Sequence, residues 1–260
     1  QRVIIVGAGN VMADIAHYLI HEKHPALITA LVRRGPLEVK FDKKELEAIV
    51  ANLDEPALQA EVGRILPDLQ SVGQDPASFW EFIHLAQAKA AERASATRFG
   101  LRFLGSIARI LGDEQNGVQA VEVEDNRLSL ENDEIKARGT GRLHTMQVDT
   151  VIFAIGDRVD DGLGLPVKSG EFVKNPDPAF PIDGQSYEAF DPQTSQPIRD
   201  IFMAGWARKA STGLVGVAHR DGANGAKAIL QYLASLPEPP PFAPEVVRQR
   251  ICQPGRALVD

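Results

Sequence analysis

The sequence predicts an α/β protein built on a parallel sheet, and three apolar runs support this class. The first, Val3 to Val6, reaches Gly7-Ala8-Gly9 and is followed by apolar residues at helical spacing. The second, Ile28 to Val32, has no polar alternation, which is typical of a strand buried on both faces. The third, Val148 to Gly156, predicts a strand that returns to the same sheet and ends a first domain over residues 1–156.

The glycine turn after the first run predicts an anion site. Gly7 permits a tight turn, and Gly9 lets the backbone approach a bulky anion such as a pyrophosphate. Free N–H groups and the positive end of the helix dipole would bind that anion. The third fingerprint position is Met12, so a plain strand-to-helix turn is the alternative interpretation.

Two arginines follow the second run and predict which dinucleotide is bound. In a Rossmann-like fold this strand end lies beside the adenosine ribose, where an acidic residue would repel a 2′-phosphate. Arg33 and Arg34 would instead bind that phosphate through charge-assisted hydrogen bonds, which favours NADP over NAD. The alternative is a solvated basic turn.

Composition excludes several other functions. A net charge of −7 argues against a broad nucleic-acid surface. No apolar run is long enough to span a bilayer and no signal peptide precedes the first strand, so we expect a cytoplasmic protein. Cys252 is the single cysteine, which disfavours a disulfide reductase or a zinc cluster. Gln1 is not an initiator methionine, so we expect an excised part of a longer polypeptide.

The middle of the first domain predicts helices and then a ribbon. Asp42 and Glu45 form a candidate capping box for a helix over 43–50, and two more helices are predicted over about 55–66 and 76–94, with a break at Pro67. Alternating residues between Ile107 and Leu130, with a hairpin signal at 113–117, predict an antiparallel β ribbon.

The residues from 157 onward differ in composition from the first domain. Residues 157–199 are rich in Pro, Gly and Asp, and Ser211 to Gly216 leads into a helix over about 217–233. That helix start again offers free N–H groups to a ligand. A stiff Pro-rich linker begins at Pro237 and precedes one short amphipathic helix.

Several motifs occur together in one order: Gly9 to Asp14, Arg33 to Leu37, Phe41 to Leu46, Ala154 to Gly156, Gly205-Trp206 and Thr212-Gly213. This combination resembles the NADP domain and C-terminal part of adrenodoxin-reductase-type ferredoxin–NADP reductases, from Val3 to about Leu233. The resemblance implies a Rossmann-like NADP-binding domain over 1–156, a partial FAD domain over 157–236, and a tail over 237–260.

The resemblance also implies roles for individual residues. Ala8, Gly9, Asn10 and Val11 would line the pyrophosphate, Arg33 and Arg34 would hold the 2′-phosphate, and Glu45 would lie on the nicotinamide side. Trp206, Thr212, Gly213, Leu214 and Val215 would contact the flavin, with Gly213 also near the nicotinamide. The chain departs from the family at Met12 and at Ala210-Ser211, which replaces a Gly-Pro pair.

The function implied is an NADPH-dependent flavoprotein reductase that passes electrons through FAD to a ferredoxin-like iron–sulfur protein. The family carries two glycine units, one for FAD and one for NADP, whereas this chain has only the NADP unit. We therefore expect the chain alone to bind FAD poorly and to be inactive. The alternative is an NADP(H)-binding module without catalysis. His219 and Asp221 are candidate proton carriers or helix-surface groups, and Arg208, Lys209 and Arg220 are a candidate basic face for an acidic acceptor.

Overall fold

A four-stranded parallel sheet forms the centre of the first of two units, Gln1–Gly156, in the computed structural model, which describes residues 1–209 and 215–237. The strands of this unit are β1 Arg2–Val6, β2 Leu27–Leu31, β3 Arg98–Arg102, β4 Gly105–Asp113, β5 Gly117–Glu131, β6 Glu134–Gln147 and β7 Thr150–Phe153. The parallel sheet has the order β3-β2-β1-β7. Val6 at the end of β1 pairs with Leu31 and with Phe153. The residues after β1 and β2 therefore meet at one edge, and the predicted fold class is confirmed.

Helices cover one face of this sheet. They are α1 Asn10–Tyr18, continued by a π-helical turn over Leu19–Lys23, then α2 Lys43–Glu47, α3 Glu55–Ser71 and α4 Ala77–Gln87. Val3 and Ile5 of β1 are buried against them in one apolar cluster. Met12 belongs to the same cluster, with none of its surface exposed. The large residue at the third fingerprint position is therefore part of the core.

The antiparallel ribbon covers the opposite face. Strands β4, β5 and β6 pair in that order, and Val121 and Val123 of β5 pack with Ile4 and Leu31 of the parallel sheet. Adjacent residues of β1 thus face different layers, as the twofold alternation of a strand requires. The antiparallel ribbon predicted between Ile107 and Leu130 is confirmed, and β6 adds a strand beyond it. Both faces of β1 are buried.

Several element boundaries differ from the sequence prediction. The break expected at Pro67 is wrong, because α3 continues through it and buries Ile65 and Leu69 in one stripe. The composition of residues 139–141, Gly-Thr-Gly, is typical of a loop, yet they lie inside β6, where a register shift and the positive φ of Gly141 accommodate them. Helix α4 ends at Gln87 and α2 at Glu47, both earlier than predicted.

The described residues of the second unit, Asp157–Asp260, form two small antiparallel sheets and one long helix. Its elements are β8 Val167–Lys168, β9 Glu171–Phe172, β10 Glu188–Asp191, β11 Gln196–Phe202 and α5 Val215–Ser235. Helix α5 confirms the helix predicted over 217–233. The predicted tail helix lies outside the described residues. Among the described helices, none is both long and apolar enough to span a membrane.

Candidate functional site

The glycine turn after β1 is sterically constrained. Gly7 has a φ of +139°, and a Cβ added to it would lie 2.1 Å from the carbonyl oxygen of Ala154. Its N–H donates to the carbonyl of Leu31 at 3.0 Å. A side chain at this position would therefore clash with the backbone that follows β7, and only glycine fits.

Gly9 differs from Gly7, because the protein leaves open space beside it. It is the N-cap of α1, with φ −111° and ψ −179°, and an added Cβ would meet no protein atom within 4 Å. The first turn of α1, beginning at Asn10, has backbone N–H groups that an α-helix cannot satisfy internally. A cradle that a side chain would fill, next to such donors, fits a pyrophosphate.

Asn10 connects this turn to the start of α2. Its Nδ2 donates to the Asp42 carboxylate at 2.8 Å, and the Asp42 N–H donates to Asn10 Oδ1 at 2.7 Å. The capping box predicted from Asp42 and Glu45 is wrong, because the Asp42 side chain makes no hydrogen bond to its own helix. Its carboxylate is instead directed at Asn10. Glu45 is half-buried in the first turn of α2, the helix whose start this pair joins to α1.

The arginine pair follows β2 at the same edge. Arg33 is exposed and Arg34 half-buried, and across residues 1–209 and 215–237 no carboxylate lies within 4 Å of either guanidinium. The nearby acid in the sequence, Glu38, accepts hydrogen bonds from the Gly35 N–H at 2.9 Å and from Gln74. Glu38 makes these hydrogen bonds and no ion pair with Arg33 or Arg34, so the guanidinium donors of the pair remain available for a phosphate.

The backbone of the arginine pair is fixed by the ribbon. The carbonyl of Arg33 accepts a hydrogen bond from Asn126 Nδ2 at 3.0 Å, and the carbonyl of Arg34 accepts one from the Leu104 N–H at 3.3 Å. Asn126 is itself buried and also donates to Ser106. The ribbon thus orients the turn that carries both guanidiniums.

An open apolar groove of about 250 Å³ adjoins this turn. Leu37 and Phe41 line one side, and Phe79 and Phe82 of α4 line the other. Its lining contains no charged group. A groove of this composition does not suit a phosphate.

In the second unit, Asp221 of α5 organises the turn that carries Trp206. Its carboxylate accepts hydrogen bonds from the Gly205 N–H at 2.7 Å and from Arg208 Nε at 2.9 Å. Gly205 has a φ of +62°, and Trp206 is 46% exposed. Arg208 also lies over the Tyr187 ring, 4.7 Å from its centroid.

These contacts decide between the roles considered for Asp221 and Arg208. Burial raises the pKa of the Asp221 carboxyl, but hydrogen bonds from Arg208 and the Gly205 N–H outweigh it, so the pKa lies below its usual value. Asp221 is therefore ionised and structural, not a proton carrier. Arg208 is buried by the same contacts, so it does not belong to a basic face, whereas Lys209 and Arg220 are exposed.

The remaining predicted flavin residues are not all described. Thr212, Gly213 and Leu214 lie outside the described residues, as does Ala210-Ser211, and Val215 begins α5. Neither Asn10–Asp42 nor Asp221–Arg208 was predicted as a pair. Within the described part of the chain, no group of three His, Cys, Asp or Glu side chains is placed to hold a metal ion.

Comparison with known proteins confirms the resemblance to ferredoxin–NADP reductases. No protein-family model matches the chain. It is 25% identical over 240 residues to a Mycobacterium tuberculosis protein named "Probable ferredoxin/ferredoxin--NADP reductase", covering 83% of this chain and 38% of that protein. It is also 25% identical over 268 residues to the mitochondrial NADPH:adrenodoxin oxidoreductase of Salvelinus fontinalis, covering 89% and 50%.

Solved structures show the same fold. Mycobacterium tuberculosis FprA in complex with NADPH superposes with a TM-score of 0.65 at 22% identity, covering 95% of this chain and 57% of FprA. The chain thus spans between 38% and 57% of the length of the relatives it matches here.

Proposed function

We propose that the first unit binds NADP(H), with the pyrophosphate at the glycine turn and the 2′-phosphate on Arg33 and Arg34. The observation that carries the proposal is the pairing of Val6 with Leu31, which puts the glycine turn and the unpaired arginines at one sheet edge. The open cradle at Gly9 supports it, and so does similarity to a protein solved with NADPH. Glu45 would face the nicotinamide half, since Asp42 fixes α2 beside that turn.

Calorimetry with NADPH and NADH tests this assignment. Each guanidinium contributes about 1.5–3 kcal/mol in a charge-assisted hydrogen bond, so Arg33→Ala and Arg34→Ala should each weaken NADPH binding about 10- to 100-fold. Neither change should alter NADH binding. Arg142→Ala, an exposed arginine on β6, is the matched control. Equal affinity of the unaltered protein for both nucleotides would contradict the proposal.

We further propose that the chain is part of an NADPH-dependent flavoprotein reductase whose acceptor is a ferredoxin-like iron–sulfur protein. The names of the relatives support this activity, and the Gly205–Ala207 turn, held by Asp221, supports a flavin contact at Trp206. FAD, when bound, supplies the centre that accepts hydride from NADPH and releases single electrons. The role of this chain is to bind the nucleotide and to present that turn.

An NADP(H)-binding module without catalysis is the second candidate. One observation favours it: the described residues contain a single unit of strand, glycine turn and helix, which the proposal assigns to NADP(H). FAD would need a second unit of this kind. The colour of the purified chain separates the two candidates. A flavin absorption spectrum supports the reductase, and a colourless protein that binds NADPH supports the module.

A further inference from the structure

Lys40 lies directly beside the glycine turn, although it is 31 positions away from Gly9 in the sequence. The Lys40 N–H donates to the carbonyl of Ala8 at 2.7 Å. Lys40 and Gly9 also form a parallel bridge, outside the named strands. The connection between β2 and α2 therefore adds one extended residue to the edge of the proposed pyrophosphate cradle.

The bridge indicates where the Lys40 side chain points. Residues paired across a β bridge direct their Cβ atoms to the same face. At Gly9, that face is the one on which an added Cβ would meet no protein atom within 4 Å. The exposed Lys40 side chain therefore extends from the side on which the protein leaves space for a ligand.

The Lys40 ammonium forms no ion pair within the described part of the chain. In the described stretches, 1–209 and 215–237, no carboxylate lies within 4 Å of it. The acid two residues later, Asp42, is bound to Asn10 on both its backbone and its side chain. Asp42 still carries a negative charge beside the cradle, which opposes the binding of a second anion. A cation at Lys40 offsets that repulsion.

We infer that the Lys40 ammonium binds the diphosphate of the dinucleotide, an inference that rests on the proposed NADP(H) site. An ammonium is a compact point charge with three donors, which suits phosphate oxygens. It acts together with the N–H groups and the dipole of α1. Lys40 thus supplies affinity for the part common to all dinucleotides, whereas Arg33 and Arg34 discriminate the 2′-phosphate.

The test compares Lys40→Gln with Lys44→Gln, an exposed lysine on α2, by calorimetry with NADP⁺. Lys40→Gln should weaken NADP⁺ binding about 5- to 20-fold. It should also reduce the dependence of affinity on salt concentration, because one phosphate contact is lost. Lys40→Arg should retain most of the affinity. Lys44→Gln should change neither quantity.

A competition measurement locates the contact on the ligand. The affinity of 2′-AMP, which lacks the diphosphate, is obtained by displacement of NADP⁺ and should be the same in Lys40→Gln and the unaltered protein. A matching loss for 2′-AMP would place Lys40 on the 2′-phosphate and overturn the inference. Unaltered NADP⁺ affinity in Lys40→Gln would also overturn it. Failure of the unaltered protein to bind NADP⁺ would instead overturn the proposed function.

Discussion

Gly7 and Gly9 lie in one turn, but glycine is favoured at the two positions for different reasons. At Gly7 the constraint comes from the protein, because an added Cβ would lie 2.1 Å from the Ala154 carbonyl oxygen. At Gly9 the protein imposes no such constraint, since the backbone is extended and the space beside it is open. Under the proposed function, the requirement for glycine at this second position arises from the ligand.

Alanine substitutions should distinguish these two reasons, because one affects stability and the other affects NADPH binding. Gly7→Ala should destabilise the fold by more than about 3 kcal/mol, because it combines a positive φ with a backbone clash. Gly9→Ala should cost no more than about 1 kcal/mol of stability as a helix N-cap change, while weakening NADPH binding more than tenfold.

Urea denaturation and calorimetry check both variants. Gly73→Ala is a useful control for backbone strain, since Gly73 has a φ of +74° with open space and lies in the loop between α3 and α4. If Gly9→Ala bound NADPH as well as the unaltered protein, the pyrophosphate would not lie at Gly9.

The sequence predicts individual residues well where the signal is local. The glycine turn and the arginine pair follow two apolar runs directly, so spacing alone indicates both. Partners far apart in the chain gave no such signal: Asn10 and Asp42 are 32 positions apart, and Arg33 and Asn126 are 93 apart. The sequence around Lys40 gives no sign of its position, because only the path of the β2–α2 connection brings Lys40 beside Gly9.

Between elements, Glu61 joins a helix, a strand and the ribbon. Its carboxylate, 9% exposed, accepts hydrogen bonds from Arg64, from Arg102 Nη1 at 2.7 Å and from the Phe103 N–H at 2.7 Å. Arg102 continues to Asp125 of β5 at 3.5 Å. Helix α3 and strand β3 are thus connected to the ribbon that orients the arginine turn.

Glu61→Gln should therefore destabilise the first unit by about 2–4 kcal/mol. The amide keeps the shape of the side chain but loses the charge, and its NH₂ group faces donors that then lack an acceptor. Glu81→Gln, an exposed position on α4, is the matched control and should change stability by less than about 0.5 kcal/mol. Urea denaturation measures both. Equal stability of the two variants would contradict a role for Glu61 in joining these elements.

Element prediction fails where packing overrides local preference. Pro67 lacks an N–H and locally favours a helix end, but burial of Ile65 and Leu69 on the same stripe keeps α3 continuous. The sequence does not indicate β6, because Gly139-Thr140-Gly141 is typical of a loop, whereas pairing with β5 supplies the backbone hydrogen bonds of the strand. The continuity of α3 and the extent of β6 both depend on contacts with residues distant in the chain.

Across the whole molecule, several carboxyl groups are stabilised in the ionised form. The pKa is lowered at five described carboxyls, and a hydrogen bond from Arg138 lowers that of Glu131 to about 2. The five are Asp113, Glu131, Asp149, Asp191 and Asp221. His144 also has a lowered pKa, because burial outweighs Asp125, with Arg102 and Arg64 adding to the effect and Glu61 opposing it.

These shifts predict how stability depends on pH. A carboxyl with a lowered pKa binds its proton in the unfolded chain first, near its ordinary value of 3.8 for Asp or 4.5 for Glu. Its contribution is therefore present above those values and lost as pH falls through the folded pKa. His144 acts at higher pH, because the unfolded imidazole gains a proton near 6.5 while the folded one stays neutral.

Urea midpoints measured from pH 8 to pH 3 should fall in two stages. The first stage is shallow, begins near pH 6.5 and should be removed by His144→Gln, which cannot be protonated. The second is steeper, begins near pH 4.5 and should persist in that variant, because it arises from the carboxyls. His219→Gln, an exposed histidine on α5, is the matched control and should retain both stages. A midpoint that rises on acidification would mean that the folded carboxyls bind protons more tightly than the unfolded ones, contrary to their hydrogen bonding.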